Sequence, residues 1–302
     1  MKVMGLDIGG TAVKYGLLDE NGVILELGEF PTEAEKGVEN LFKNICGVID
    51  KYLSDDILGI AVSGTGQIDG TIGKVIGGNP IIPGWIGTNL VEKLEDRYKI
   101  PAVLENDVNC AALGEKWLGA GKNSENFVCL TIGTGIGGGI ILNGDIFRGD
   151  TYVAGEFGHI QIVKSGEECL CGKKGCYERY ASATALVKMV KEKTGKTLNG
   201  KEIFELEKSG DKEIKEIVDR WIDYFTDGLS TIAYIFNPPL VVIGGGVTKQ
   251  GEYLLNRILV SLDSKLGINY KKNLKIKFAE LGNNAGILGA EYLLLKKVGK
   301  VK

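Results

Sequence analysis

No apolar run among the 302 residues approaches the length that spans a membrane. Net charge is −3, so no basic field exists that would gather nucleic acid. Met1 to Gly10 has no basic start, no long apolar stretch and no cleavage site. No secretory leader is therefore expected, and the protein is expected in the cytoplasm. Prolines number six, and no Pro/Ser linker or low-complexity segment separates parts of the chain. Histidine occurs once, as His159.

What is present is clustered. His159 precedes Cys169-Leu170-Cys171-Gly172-Lys173-Lys174-Gly175-Cys176-Tyr177-Glu178, which holds three of the six cysteines. One imidazole and three thiolates form a Cys3His set suited to tetrahedral Zn2+. The tight Cys-x-Cys and the later Gly-Cys let a short loop fold back on one ion. Disulfide use would need a secreted chain, which the N-terminus does not suggest. Cys46, Cys110 and Cys129 lie in apolar runs and read as buried thiols. A metal held between Glu156 and Glu178 would pin both carboxylates.

Glycine, at 45 residues, is the compositional outlier. The glycines gather at Gly9-Gly10, Gly64 to Gly78, Gly133 to Gly139 and Gly244 to Gly246, each beside a β-like run. That is how backbone turns tightly at strand ends, often near phosphate. Strands are expected over Val3–Ile8, Val13–Leu18 and Val23–Glu29, with a hairpin turn at Asn21-Gly22. A helix over Gly37–Leu53, a strand over Ile57–Ser63, a helix over Asn89–Tyr98, a strand over Ala102–Glu105 and a helix over Val108–Trp117 follow. This βββαβαβα order is an α/β domain with a mixed sheet. Val128–Ile132, the glycine-rich Gly133–Gly139, Ile140–Leu142 and the Asn143-Gly144 turn repeat the opening pattern, so residues 3–22 and 128–144 read as a weak duplication. Helices are expected over Ser182–Lys193, Gly200–Lys208, Asp211–Phe236, Gln250–Leu266 and Ala285–Lys297. Strands are expected over Leu240–Ile243 and Leu274–Ala279. The Lys/Glu-rich stretch from Lys188 to Lys215 reads as solvated helix faces.

Two motifs mislead. Gly133-x-Gly135-x-x-Gly138 fits a dinucleotide fingerprint, but a strand and hairpin follow it where that motif needs a helix. Gly195 to Gly200-Lys201 nearly fits a P-loop, but Glu202 stands where Ser or Thr would hold Mg2+. It reads as a loop between helices.

Better candidates lie at strand ends. In Asp7-x-Gly9-Gly10-Thr11, backbone N–H groups and the Thr11 hydroxyl can bind phosphate, and Asp7 can hold Mg2+. Gly133-Thr134-Gly135 supplies a second cradle. Two copies of one unit would make a cleft between two phosphate loops. Glu105-Asn106-Asp107 ends a strand, where α/β sheets carry ligands, and Asp107 there is the best general base. Alone it would be a helix N-cap more often than a catalyst. Glu156, His159 and Glu178 offer acceptors for hydroxyl groups, and Asn79 and Asn106 add amides. The set reads as a sugar pocket.

At these motifs the chain resembles the ROK family of repressors, open reading frames and sugar kinases, and is most similar to its bacterial ATP-dependent glucokinases. Asp7-Ile-Gly-Gly-Thr11, with Lys14 following, resembles the first phosphate motif, and Leu130 to Gly139 the second. Glu105-Asn-Asp107 resembles the catalytic motif, Glu156-Phe-Gly-His159 the sugar motif, Cys169 to Glu178 the zinc signature, and Val242 to Gly246 the adenosine loop. The resemblance implies a two-lobed, actin-like, ribonuclease-H-like α/β ATPase fold, in a homo-oligomer that is commonly a dimer. On this basis residues 1–119 form a small lobe, on which the C-terminal helix 286–302 packs back. Residues 120–285 form a large lobe with the zinc loop. It implies Asp107 as base and Asn79, Asn106, Asp107, Glu156, His159 and Glu178 as sugar contacts. ATP phosphates are expected on Asp7, Gly9, Gly10, Thr11, Lys14, Gly133, Thr134, Gly135, Gly244, Gly245 and Gly246. Zinc is expected on His159, Cys169, Cys171 and Cys176, structural because all four positions are filled. His159 would touch the sugar through its other nitrogen.

The expected activity is transfer of the γ-phosphoryl of ATP to the 6-hydroxyl of a hexose, with Mg2+ on the phosphates. Glucose comes first, in carbohydrate metabolism and glycolysis. Gly77 to Trp85 departs from the family's glucokinase pattern and leaves a β-glucoside, fructose, mannose or N-acetylmannosamine as alternatives. A sugar-responsive regulator of the same family would carry a winged-helix domain ahead of the first phosphate motif. Here that motif starts six residues in, so catalysis is expected. In an actin-like filament or chaperone ATPase the His/Cys cluster would have no role.

Overall fold

The structure, a computed structural model, describes residues 1–78 and 81–301. Asn79, an expected sugar contact, lies outside the described residues. The chain forms two compact units, Met1–Glu125 with Ile140–Ala154 and Asn283–Lys302, and Asn126–Gly139 with Gly155–Gly282.

The strands of the first unit's sheet are β1 (Lys2–Ile8), β2 (Ala12–Asp19), β3 (Ile24–Pro31) and β4 (Ile57–Gly64). A small hairpin, β5 (Gln67–Asp69) and β6 (Lys74–Gly77), precedes the last one, β7 (Ala102–Asn106). Sheet order is β3-β2-β1-β4-β7. β1 and β2 pair antiparallel, whereas β1, β4 and β7 run parallel. Alternation along β1 sends Met4, Leu6 and Ile8 to one face, and Val3, Gly5 and Asp7 to the other. The first face packs on Leu41, Ile45 and Ile49 of α1 (Gly37–Tyr52) and Leu90 and Leu94 of α2 (Leu90–Tyr98). On the other face Val3 and Ala61 meet Cys110 of α3 (Asp107–Trp117) and Ala290, Leu294 and Leu295 of the C-terminal helix (Ala285–Lys297). Each such fully buried aliphatic side chain contributes about 1.5–3 kcal/mol. α3 and the C-terminal helix cross on glycines. A Cβ on Gly114 would run into the Ala285 carbonyl, and one on Gly289 into that of Cys110. This close approach fixes α3 against the C-terminal helix.

The second sheet repeats the plan. It comprises β8 (Phe127–Ile132), β9 (Ile136–Leu142), β10 (Asp145–Ile146), β11 (Leu240–Gly244) and β12 (Lys275–Phe278). Its order is β10-β9-β8-β11-β12, with β8, β11 and β12 parallel. The duplication read from residues 3–22 and 128–144 therefore extends to whole sheets. One expectation is corrected here. The glycine-rich stretch Gly133–Gly139 is not loop throughout, because β9 begins at Ile136 and its glycines take part in the sheet. Gly138 is needed there for packing, since a Cβ would run into the Phe157 ring.

The second unit's helices are α4 (Glu178–Ala181), α5 (Ala183–Thr194), α6 (Gly200–Lys208), α7 (Lys212–Phe236), α8 (Glu252–Asp263) and α9 (Ile268–Lys271). α7 buries Ile214, Val218, Trp221, Phe225, Leu229 and Ile232 at helical spacing. Side-chain caps start several of these helices, with Ser182 on α5, Asn199 on α6 and Asp211 on α7. The expected helix over 250–266 is shorter. Gly251 at φ 60° and a 3-10 turn over Gly246–Gln250 delay its start to Glu252.

Candidate active site

In the first unit the parallel register puts Asp7 beside Ser63 and Ser63 beside Glu105, at the carboxyl ends of β1, β4 and β7. Lys14 of β2 is the cross-strand partner of Asp7. One row thus reads Lys14, Asp7, Ser63, Glu105. The Ser63 hydroxyl, fully buried, donates to Asp7 Oδ1 at 2.7 Å. Burial raises the Asp7 pKa, while the Ser63 hydrogen bond and the Lys14 charge pull it down. Gly286 of the C-terminal helix leaves the space, since a Cβ there would stand 3.0 Å from Ser63 Oγ and 3.2 Å from Asp7 Oδ1.

One residue further along, the chain turns from β7 into α3. Asn106 caps the helix, its Oδ1 accepting from the N–H groups of Val108 at 3.0 Å and Asn109 at 3.1 Å. Its Nδ2 donates to the Gly66 carbonyl at 2.9 Å and to Asp107 Oδ1 at 3.0 Å. So Asn106 is first a clamp on Asp107. Asp107 is half-buried, and its pKa is pushed up to about 6, chiefly by burial and then by the charge of Asp7. The Val108 N–H at 2.9 Å from Oδ1 opposes the shift. A carboxylate poised near 6 is a usable base at neutral pH.

The first glycine turn is held from below. Gly9 N–H donates to the Ala12 carbonyl at 3.1 Å, and the buried Thr32 hydroxyl donates to the Gly9 carbonyl at 2.7 Å. Thr11 is exposed at its tip. Sequence reasoning missed Thr32, Ser63 and Arg148. The Arg148 Nε donates to Glu105 Oε2 at 2.6 Å, and Glu105 is fully buried. All three act through register or tertiary pairing that no local motif announces.

In the second unit Gly133 N–H donates to the Gly135 carbonyl at 3.0 Å, making a tight turn with Thr134 exposed. Gly135 lets the Glu178 carboxylate lie close, since a Cβ there would run into it. Gly245, at φ 100°, brings the Gly244–Gly246 turn against the Ile132 carbonyl. Both turns contribute to one cavity of about 610 Å3, lined by Gly133, Gly246 and Val247, with Phe204 and Lys201, Lys208 and Lys249. That is a size suited to a nucleoside or cofactor. Gly200-Lys201, set aside as a failed P-loop, opens α6 onto this cavity.

Beside the Gly133 turn, His159, Cys169, Cys171 and Cys176 bring four ligand atoms within 4.8 Å of one another. Cys171 Sγ and Cys176 Sγ are 3.5 Å apart, and Cys169 Sγ lies 3.6 Å from His159 Nδ1. Tetrahedral zinc with bonds of about 2.3 Å to sulfur spaces its ligands by about 3.7 Å, so the donor set fits. The imidazole is shared out. Nδ1 faces the thiols, whereas Nε2 is 3.9 Å from Glu156 Oε2. Glu178 Oε1 lies 3.2 Å from Cys169 Sγ and 3.7 Å from His159 Nδ1. The neighbouring Tyr177 anchors this segment, its hydroxyl donating to the Phe225 carbonyl of α7 at 2.6 Å. The second unit thus gathers Glu156, His159 and Glu178 with the cysteines, and the first gathers Asp7, Lys14, Asn106 and Asp107.

Comparison with known proteins identifies the family. A curated glucokinase of Halalkalibacterium halodurans is 34% identical, over 96% of this chain and 94% of its own. A curated beta-glucoside kinase of Listeria monocytogenes is also 34% identical, over 98% of each chain. The solved structure of a ROK family glucokinase from Streptomyces griseus, in complex with glucose and AMPPNP, superposes with a TM-score of 0.81 at 33% identity, over 97% of this chain and 99% of that one. The family model described as ROK family matches residues 3–297, which takes in both sheets, both glycine turns and the cysteine cluster. The chain belongs to the ROK family.

Proposed function

We propose that this protein transfers the γ-phosphoryl group of ATP to the 6-hydroxyl of a hexose, glucose first, with Asp107 as general base. As an ATP-dependent sugar kinase it needs a base, a phosphate cradle and a sugar clamp. The observation that carries the reading is Asp107, clamped by Asn106 and raised to about 6 beside Asp7. The hexose hydroxyl oxygen attacks the γ-phosphorus, and its proton passes to the Asp107 carboxylate. The bond to the β–γ bridging oxygen breaks, and ADP departs. Glu156, Glu178 and the Nε2 side of His159 accept or donate hydrogen bonds to the remaining sugar hydroxyls. Asn79 and Asn106 are proposed sugar contacts as well. Gly9, Gly10, Thr11 and Lys14, with Gly133, Thr134 and Gly135, are proposed to hold the phosphates, and Gly244, Gly245 and Gly246 the adenosine. The carboxylate of Asp7 is a hard oxygen donor that suits the Mg2+ accompanying ATP, where the ion would offset phosphate charge. Zinc on His159, Cys169, Cys171 and Cys176 would fix the His159 ring and the Glu178 segment. A homodimer is proposed as the working form. Among the described residues no helix is long and apolar enough to cross a membrane.

A β-glucoside is the second acceptor to consider, because a curated beta-glucoside kinase matches as much of the chain as the glucokinase does. The test is ADP release by the zinc-loaded protein with Mg-ATP and glucose, mannose, fructose, N-acetylmannosamine or cellobiose. Glucose should give the highest kcat/KM. A higher value with cellobiose would move the assignment to β-glucosides. No sugar-dependent ADP release would sink the kinase reading.

A further inference from the structure

We infer that Arg148 is a positioning residue for the base, acting through Glu105 and Asn106. This rests on the reading of Asp107 as the base. The row Lys14, Asp7, Ser63, Glu105 ends on a carboxylate with no exposed surface. Among the described residues Arg148 is the one cation within ion-pair distance of it, its Nε 2.6 Å from Oε2. The other oxygen, Oε1, accepts from the Asn106 N–H at 2.9 Å and from Asn109 Nδ2 at 3.0 Å. Glu105 therefore grips the backbone of the residue whose side chain clamps Asp107. That side chain has no slack, since Oδ1 caps α3 and Nδ2 is shared between Gly66 and Asp107.

Two features show that the pair is built in. Gly70, in the turn of the β5–β6 hairpin, lies so close that a Cβ would run into Glu105 Oε2 and stand 3.0 Å from Arg148 Nε. Arg148 itself is held by a closed loop, its carbonyl accepting from the Ala154 N–H at 3.0 Å. That loop carries Tyr152 at φ 62°, a conformation an aromatic residue rarely adopts, with its hydroxyl 3.5 Å from Thr71 Oγ1. Strain of this kind persists where the surroundings over-determine the backbone. Without the guanidinium, Glu105 must take up a proton or draw its amide donors out of place. Either change moves Asn106, and so Asp107.

The experiment uses the full zinc-loaded chain as wild type, R148M, R148K, E105Q and R148M/E105Q. With the accepted sugar, R148M should lower kcat by about 30- to 100-fold, the scale of a misplaced reacting group, with the sugar KM within about threefold. E105Q in the R148M background should recover about tenfold of that loss, because the orphaned charge is gone. R148K keeps the charge but not the Nε geometry and should fall between, which guards against a misfolded R148M. A kcat within about twofold of wild type in R148M, or a loss that E105Q does not relieve, would overturn the inference. If the wild type phosphorylates no sugar, the base assignment has failed, and amide exchange still reads the clamp. Val108 and Asn109 should then exchange about tenfold faster in R148M while α7 stays unchanged. Equal exchange in both proteins would overturn the clamp as well.

Discussion

At the carboxyl end of β1 the side chains run Lys14, Asp7, Ser63, Glu105 across the sheet. At the matching end of β8, Thr131 lies beside Gly244 of β11, and β12 ends at Phe278. The two sheets share one strand order, yet one end is ionic, buried at Ser63 and Glu105, while the other sets neutral Thr131 beside Gly244. The second unit instead sets Lys201, Lys208 and Lys249 around its cavity. A duplicated scaffold has been divided by chemistry. The first copy holds carboxylates that can take a proton, and the second holds turns and lysines that suit a polyanion. The division explains why Asp107 sits near 6. Burial of Asp107 first, and then the charge of Asp7, hold that value up, and both residues belong to the first copy.

The sharpest test of the division compares Asp107 with Thr131. Asp107→Asn keeps shape and removes the base, so kcat should fall at least about 100-fold with sugar affinity within about threefold. Thr131→Val, at the matching region of the other sheet, should cost less than about tenfold. Similar losses at both sites would break the comparison. The same residue sets the pH profile. Asp107 must be ionised to act, and its pKa is raised to about 6, so kcat should climb through about pH 6 and level off above it. A limb near the usual carboxylate range, about 4, would mean that neither burial nor Asp7 acts on it.

The cysteine cluster belongs to the second unit, and its loss should act on binding more than on chemistry. Cys171→Ser should reduce zinc from about one per chain toward none, and raise the sugar KM by about tenfold as His159 and Glu178 lose their anchor. Metal analysis alongside kinetics decides it. Full activity without zinc would show that the cluster does not shape the sugar clamp.

Much of this arrangement was legible in the chain. Strand ends were marked by glycine, and the helix over 200–208 matched to the residue because Asn199 and Glu202 form a capping box. The Cys3His group needed only spacing. The β5–β6 hairpin escaped notice because strands of three and four residues carry too little alternation to read. Residues 136–139 escaped because glycine argues against a strand, and pairing within the sheet overrides that preference. Arg148 lies 43 residues from Glu105, and a lone arginine in a loop gives no signal of its partner. Lys201 was hidden by its own motif. A P-loop was sought there, and the true cue was a capped helix start facing a cavity.

Lys201 gives a smaller effect that sharpens the donor side of the comparison. Lys201→Met should raise the KM for ATP by about three- to tenfold, worth about 1 kcal/mol, and leave the sugar KM unchanged. A change in the sugar KM instead would assign the cavity to the acceptor.

The smallest effect concerns how each copy treats a buried acid outside its site. Glu291 of the C-terminal helix has no exposed surface, and neither carboxyl oxygen has a hydrogen-bond partner. Burial first, and then the charge of Asp19, push its pKa from 4.5 up to about 8. The folded protein keeps this proton after the unfolded chain has lost it, so stability must fall as pH rises from about 4.5 to about 8 and level off beyond. Glu291→Gln is neutral at every pH and removes that slope. Its melting temperature relative to wild type should therefore rise between about pH 5 and pH 8, by about 3 °C or more, the shift expected for about 2 kcal/mol in a chain of this size. Glu207 of the second unit is equally buried but is ion-paired with Arg257. Glu207→Gln should destabilise at both pH values, because it strips a buried cation of its partner. Thermal melts of the two variants at about pH 5 and pH 8 separate a group that enters the fold neutral from one that enters charged. A flat difference for Glu291→Gln would mean that water or a rearranged helix satisfies the carboxylate.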